Sequence, residues 1–157
     1  MHIMRTFLTI VLLSIFSFMT YGQTTTEQEL IRSYFKVAKI AIFEENMGLS
    51  EEEGSKFWPL YKSFDAEATK LNDFRIQYLS DYVNNFENIT DEQVDTMLKS
   101  ATQYNKKMTA LKSKYYKQMK KELSAGIAVR FLQIEEYIQT VVKYEILENL
   151  PFVGDTF

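Results

Sequence analysis

The chain contains no cysteine, and its single histidine is His2. The first absence excludes disulfides, thiolate nucleophiles, CxxC redox chemistry and Cys-ligated zinc or iron–sulfur sites. The second removes the usual neutral-pH base and the commonest transition-metal ligand, because His2 falls in a segment expected to be cut away. There is no Gly-rich phosphate loop and no Ser/His/Asp set, so the sequence predicts a protein that is not an enzyme and holds no cofactor. Glycine (5) and proline (2) are also scarce, and no Gly/Ser-rich linker, low-complexity block or strand-like alternation occurs. What remains is 46% hydrophobic and 25% charged, with 12 Phe and 10 Tyr among 157 residues, a composition that suits one ordered domain.

Residues 1–22 have the pattern of a secretory signal. Arg5 supplies the positive start, Thr6 to Met19 is an apolar run of 14 residues, and the small residues Thr20 and Gly22 precede a cut before Gln23. A membrane-spanning helix needs about 20 apolar residues, which this run does not reach. The expected mature protein is therefore 23–157, a single domain in the periplasm with no membrane insertion after cleavage. With no disulfides available, its stability must come from a helical core.

Cleavage leaves 17 Lys plus Arg against 21 Asp plus Glu, a net charge of −4. The distribution is strongly bipolar. Eight lysines and no acid lie between Lys99 and Lys121, which leaves the rest of the mature chain at −12. Tyr104, Tyr115 and Tyr116 are interleaved with these lysines, but an exported, net acidic chain is a poor candidate for nucleic acid, which is not expected as a partner.

Four helices follow from caps and periodicity. The first covers Gln28 to Asn46, with Leu30, Tyr34, Val37 and Ile40 or Ala41 at three-to-four-residue intervals, and stops at Gly48. Ser50 and Glu53 form a capping box for the second, whose start also carries the Glu51-Glu52-Glu53 run toward the positive end of the helix dipole. Its stripe is Phe57, Tyr61, Phe64, Ala68, Leu71, Tyr78 and Tyr82. Pro59 lies inside this stripe and is expected to kink the helix into a short and a longer segment, with Trp58 either a packing anchor at the kink or a contact for a bound chain.

Thr90 and Gln93 form a second capping box, after Ile89, and open a third helix with the stripe Met97, Ala101, Tyr104, Met108, Leu111, Tyr115 and Met119. Seven of the eight lysines should point away from that stripe, while Lys112 sits beside it. Leu123-Ser124 re-caps the chain for a fourth helix with Ile127, Phe131, Ile134, Ile138 and Val141, ending before Pro151. The fold class is thus all-α, four helices in an elongated, hairpin-like arrangement dominated by two long ones. So thin a layer buries too few aromatic residues alone, which predicts a homodimer.

Three smaller constellations have two readings each. Met97, Met108 and Met119 repeat every 11 residues and could offer thioethers to copper(I), or fill the core. Glu135 and Glu136 are neighbours on a helix, diverging by about 100°, so they cannot share a catalytic site. Arg130 could pair with Glu135 or Glu136, or with another helix or subunit.

Leu49-Ser50-Glu51-Glu52-Glu53 and Leu123-Ser124-Ala125-Gly126-Ile127 resemble the LTxxQ motif of the periplasmic Spy/CpxP family, with Ser in place of Thr in both, and Glu53 and Ile127 in place of Gln. The order of elements over Glu27 to Leu147 is similar too. Lys56-Phe57-Trp58-Pro59-Leu60-Tyr61, Arg130-Phe131-Leu132-Gln133-Ile134-Glu135 and Pro151-Phe152-Val153 resemble a distant branch of these envelope proteins. Ile89-Thr90-Asp91-Glu92-Gln93 is the nearest literal match to the motif, but it opens the third helix, where the family has none.

The resemblance implies a cradle-shaped antiparallel dimer that acts as an ATP-independent periplasmic chaperone for partly unfolded envelope proteins. Its alternative is an envelope-stress sensor or modulator that binds the outer domain of a membrane signalling protein. Sensing of nickel, cobalt or zinc has little support in a mature chain without His or Cys. The Lys-rich face of the third helix, represented by Lys106, Lys107, Lys114 and Lys117, is the candidate client-binding surface.

Overall fold

The computed structural model describes residues 38–152. The signal-like segment 1–22, the polar leader, the start of the first helix with Leu30, Tyr34 and Val37, and Val153 lie outside the described residues. Within them the protein is all-α, with four α-helices and no strand. Helix α1 occupies 38–47, α2 is Glu51–Asn85, a 3-10 turn spans Phe86–Asn88, α3 is Asp91–Glu122 and α4 is Ala125–Asn149.

The helix starts are built as their sequence dictates. Glu53 N–H donates to Ser50 Oγ (3.3 Å) and Ser50 N–H donates back to Glu53 Oε2 (2.9 Å), so two otherwise orphaned donors are satisfied reciprocally. Thr90 and Gln93 repeat the arrangement at 3.3 and 2.8 Å. At α4 the Ser124 hydroxyl accepts from Ile127 N–H at 3.2 Å, but Ile127 has no side chain able to return the bond. Gly48, with φ 59°, takes the left-handed conformation that ends α1 without a Cβ penalty.

Pro59 lies inside α2, yet the helix continues through it as a single element of 35 residues, not as two segments. A proline removes one backbone bond and crowds the preceding turn. Phe57 and Tyr61 on either side are buried and anchor the helix across the proline, and in the following turn Ser63 Oγ donates to the Pro59 carbonyl at 3.0 Å. Trp58 packs edge-on against Phe57 (5.1 Å between centroids) and Tyr61 (5.6 Å), as an anchor of the proline turn.

The chain forms two compact units. Among the described residues the larger contains Leu49–Leu132 and 150–152. In it α2 and α3 run antiparallel, since Phe64 meets Tyr115 (5.5 Å), Glu67 meets Lys114 and Phe74 meets Lys107 as one number rises and the other falls. Phe131 of α4 inserts edge-on against Phe64 (5.0 Å) and Phe57 (6.3 Å), and all three rings are fully buried. Toward the other end Tyr82 is buried and its hydroxyl donates to the Pro151 carbonyl at 2.7 Å. Leu71, Tyr78, Met97 and Ala101, expected in the stripes, are only half-buried. Within this unit α4 supplies only its first two turns, which lie at the Phe57–Phe64 end.

The smaller unit joins α1 to Gln133–Asn149 of α4. Its apolar core is Ala38, Ile42, Phe43 and Met47 with Ile134, Ile138 and Val142. The expected stripes are corrected here by one or two positions: Ile40 is half-buried and Ala41 exposed while Ile42 and Phe43 are buried, and Val142 is buried in place of Val141. The reason is polar. Lys39 and Glu135 take positions on the buried faces, so the apolar residues around them are read one step out of phase.

Candidate binding surface

Along α3 the buried side chains are Tyr104, Met108, Leu111, Tyr115 and Met119, and seven of the eight lysines are exposed, with Lys112 half-buried. Met108 and Met119 are core residues, so they present no thioether pair to a metal at the surface. The acid-free stretch therefore projects its charge away from the α2–α3 contact. The four candidate client-binding lysines do not share one environment, however.

Lys114 is tied to α2. Its Nζ lies 2.7 Å from Glu67 Oε1, and the Tyr115 hydroxyl donates to the same oxygen at 2.7 Å. Bonds from Lys114 and then Tyr115 hold the Glu67 carboxyl below its usual range. Burial first, and the bond to Glu67 second, push the Tyr115 hydroxyl up to about 12. Lys107 leans over the Phe74 ring of α2, 5.8 Å from its centroid. Lys106 and Lys117, by contrast, are exposed and meet no acid among the described residues, and the same holds for Lys99 and Lys120. The sequence set Lys106, Lys107, Lys114 and Lys117 thus divides: Lys107 and Lys114 flank the α2–α3 seam, and Lys106 and Lys117 lie on the outer ridge.

At 100° per residue, Lys99, Lys106 and Lys117 fall within about 20° of one another, on the side opposite the buried stripe. Lys120 stands about 60° from that line. The row from Lys99 to Lys120 is about 32 Å long. Exposed apolar side chains occur elsewhere: in the larger unit Leu98 (62% exposed), Ile76, Val129 and Phe152, and in the smaller unit Tyr137, Tyr144 and Leu147. An open groove of about 490 Å³ between α2 and α3 is lined by Lys56, Pro59, Leu60, Gln118, Lys121 and Glu122. Lys56 is bonded to Glu52 at 2.8 Å, and Lys121 lies 3.9 Å from Glu122, so the rim charges of that groove are largely matched internally.

Of the cap residues Leu49, Ser50, Glu53, Thr90, Gln93, Leu123 and Ser124, five start helices, Leu123 ends one and Leu49 is half-buried just before α2. Ser50, Glu53, Thr90, Gln93 and Ser124 form the bonds described above, and the Leu123 N–H donates to the Met119 carbonyl at 2.9 Å to close α3.

A buried ion pair in the smaller unit was not foreseen. Lys39 Nζ is 3.2 Å from Glu135 Oε2, and Gln139 Nε2 donates to the other carboxylate oxygen at 3.1 Å. Glu135 thus pairs with α1, not with Arg130 five residues earlier on its own helix. The signal was present in the spacing: Phe131, Glu135, Ile138, Val142 and Glu145 follow a 4-3-4-3 rhythm, which places both acids on the inward stripe.

Among the described residues no group of three or more His, Cys, Asp or Glu side chains could hold a metal ion, and no helix is long and apolar enough to cross a membrane. No family model, curated protein or solved structure matches the chain.

Proposed function

We propose that this is an exported, non-enzymatic holding protein of the Spy/CpxP type, which binds partly unfolded envelope proteins without nucleotide and suppresses their aggregation in the periplasm, as a homodimer. The observation that carries the reading is the exposed lysine row of α3, free of acid from Lys99 to Lys121 in an otherwise acidic chain. An unfolding acidic chain is drawn to such a row electrostatically, at a distance set by screening. Exposed apolar side chains such as Leu98, next to the row, then shield apolar segments of the bound chain. The two capped starts at Leu49-Ser50 and Leu123-Ser124 add the family's motif pattern to the support.

The test is light scattering of two unrelated aggregating proteins with and without the mature chain from Gln23, at low and moderate salt. Holding predicts suppression of both near stoichiometry, weaker in salt. Replacing Lys106 and Lys117 with Glu should weaken suppression and leave helicity intact. If neither substrate is protected, the holding function is wrong, and a modulator that binds the outer domain of one membrane signalling protein becomes the better reading.

A further inference from the structure

The outer ridge of α3 combines three properties that point to a particular kind of surface. Lys99, Lys106, Lys117 and Lys120 meet no acid among the described residues, so their charge is available to a partner. No large apolar side chain is exposed between Lys99 and Lys121, and the ridge between the lysines is filled by Thr102, Gln103, Asn105, Thr109, Ala110 and Ser113, all exposed. The ridge is also convex, being the back of one helix on the side opposite its buried stripe.

A convex ridge offers no groove or sheet edge for main-chain or side-chain complementarity, so it attracts any partner, an unfolding chain included, through charge alone. It can touch a planar array of anions along its whole length of about 32 Å. Apart from Leu98 at its start the ridge exposes no large apolar side chain, which favours adsorption to headgroups over burial in the acyl region, where an amphipathic helix would place an apolar face. Of the acids of α3, Asp95 stands one turn before Lys99 and Glu122 two residues after Lys120, while Lys106 and Lys117 have no acid of their own helix within a turn. The ridge is thus a positive stripe in a chain whose remaining charge is negative, and a negative surface attracts that stripe.

We propose that the α3 ridge docks the protein on the anionic phospholipid headgroups of a membrane, peripherally and without insertion. This uses the lysine row on which the proposed function rests, but it does not require client holding. Each lysine that reaches such a surface changes partition about fivefold.

The experiment is co-sedimentation of the mature chain from Gln23 with vesicles of equal parts phosphatidylglycerol and phosphatidylcholine, and with vesicles of phosphatidylcholine alone, over a salt series. Two double variants lose the same charge: Lys106→Gln/Lys117→Gln on the ridge, and Lys107→Gln/Lys114→Gln at the seam. Circular dichroism checks that both remain helical. Binding should require phosphatidylglycerol, fall with salt, and drop about 25-fold in the ridge variant against less than about fivefold in the seam variant.

Absence of binding to the anionic vesicles, equal losses in the two variants, or binding that ignores salt would each overturn the inference. Capture of poly-glutamate without vesicle binding would also overturn it, and would assign the ridge to acidic chains. Because scattering is measured without lipid, suppression of aggregation with no vesicle binding sinks only the docking. Vesicle binding with no suppression sinks only the holding function.

Discussion

Lys39 and Glu135 face each other across α1 and α4 at 3.2 Å with both side chains buried, at 4% and 0% exposure. A buried ion pair gains Coulomb energy only after both groups have been taken out of water, so its net contribution is small compared with the penalty for breaking it. Removing one partner leaves the other charged, buried and poorly solvated. Lys39→Met is therefore expected to lose about 3–5 kcal/mol of stability, and Lys39→Met/Glu135→Leu to recover most of it. Denaturant unfolding of the wild type, both single variants and the double variant checks this. A double variant as unstable as the singles would show that shape, not charge, sets the cost.

Burial of Tyr115, together with its bond to Glu67, predicts an alkaline signature. With the Tyr115 hydroxyl pushed up from an ordinary 10.0 to about 12, the folded state keeps its proton where the unfolded state loses it. This contribution is complete below pH 10 and is lost as pH rises toward about 12. Glu67 acts at the other end: its lowered carboxyl contributes above its ordinary value of 4.5, and the contribution is lost as pH falls through the folded value. Tyr115→Phe should cost about 1 kcal/mol at neutral pH and remove that part of the alkaline loss, which unfolding curves from pH 7 to 12 would resolve.

The helix caps differ in reciprocity, and that difference is measurable. Thr90→Ala removes the acceptor for Gln93 N–H and should cost about 0.5–2 kcal/mol. Gln93→Ala removes the returning bond to Thr90 N–H, and should cost less, since the Thr90 hydroxyl still caps the N–H of residue 93. At α4, where no bond is returned to the cap, Ser124→Ala alone should cost about 0.5–2 kcal/mol.

The caps, the long helices and the outward lysines were legible because they rest on local chemistry: a hydroxyl three residues before a Glu or Gln, or an apolar residue every third or fourth position. The division of α2 at Pro59 that the sequence suggests does not occur, because the helix on both sides is anchored by buried Phe57 and Tyr61, a packing effect that spacing alone does not show. The partners of Lys39, Lys107 and Lys114 were not legible at all. Each lies on another helix, and sequence spacing alone does not say which carboxylate or ring a lysine will meet. For that reason half of the candidate lysine set proved to belong to the α2–α3 seam. Glu135 was a partial case, since its place in the inward rhythm was readable, but its partner on α1 was not.

Glu67 grips two consecutive residues of α3, Lys114 and Tyr115, through one oxygen. Sliding α3 along α2 by one helical turn, about 5.4 Å, would bring Ala110 and Leu111, or Gln118 and Met119, to that oxygen. The first pair offers no side-chain donor and the second a single amide in place of a cation and a phenol. Two long helices joined mainly by interchangeable apolar side chains could settle in several alignments. This carboxylate works as an index mark between them, favouring one alignment and leaving the lysine row at a fixed height along the pair.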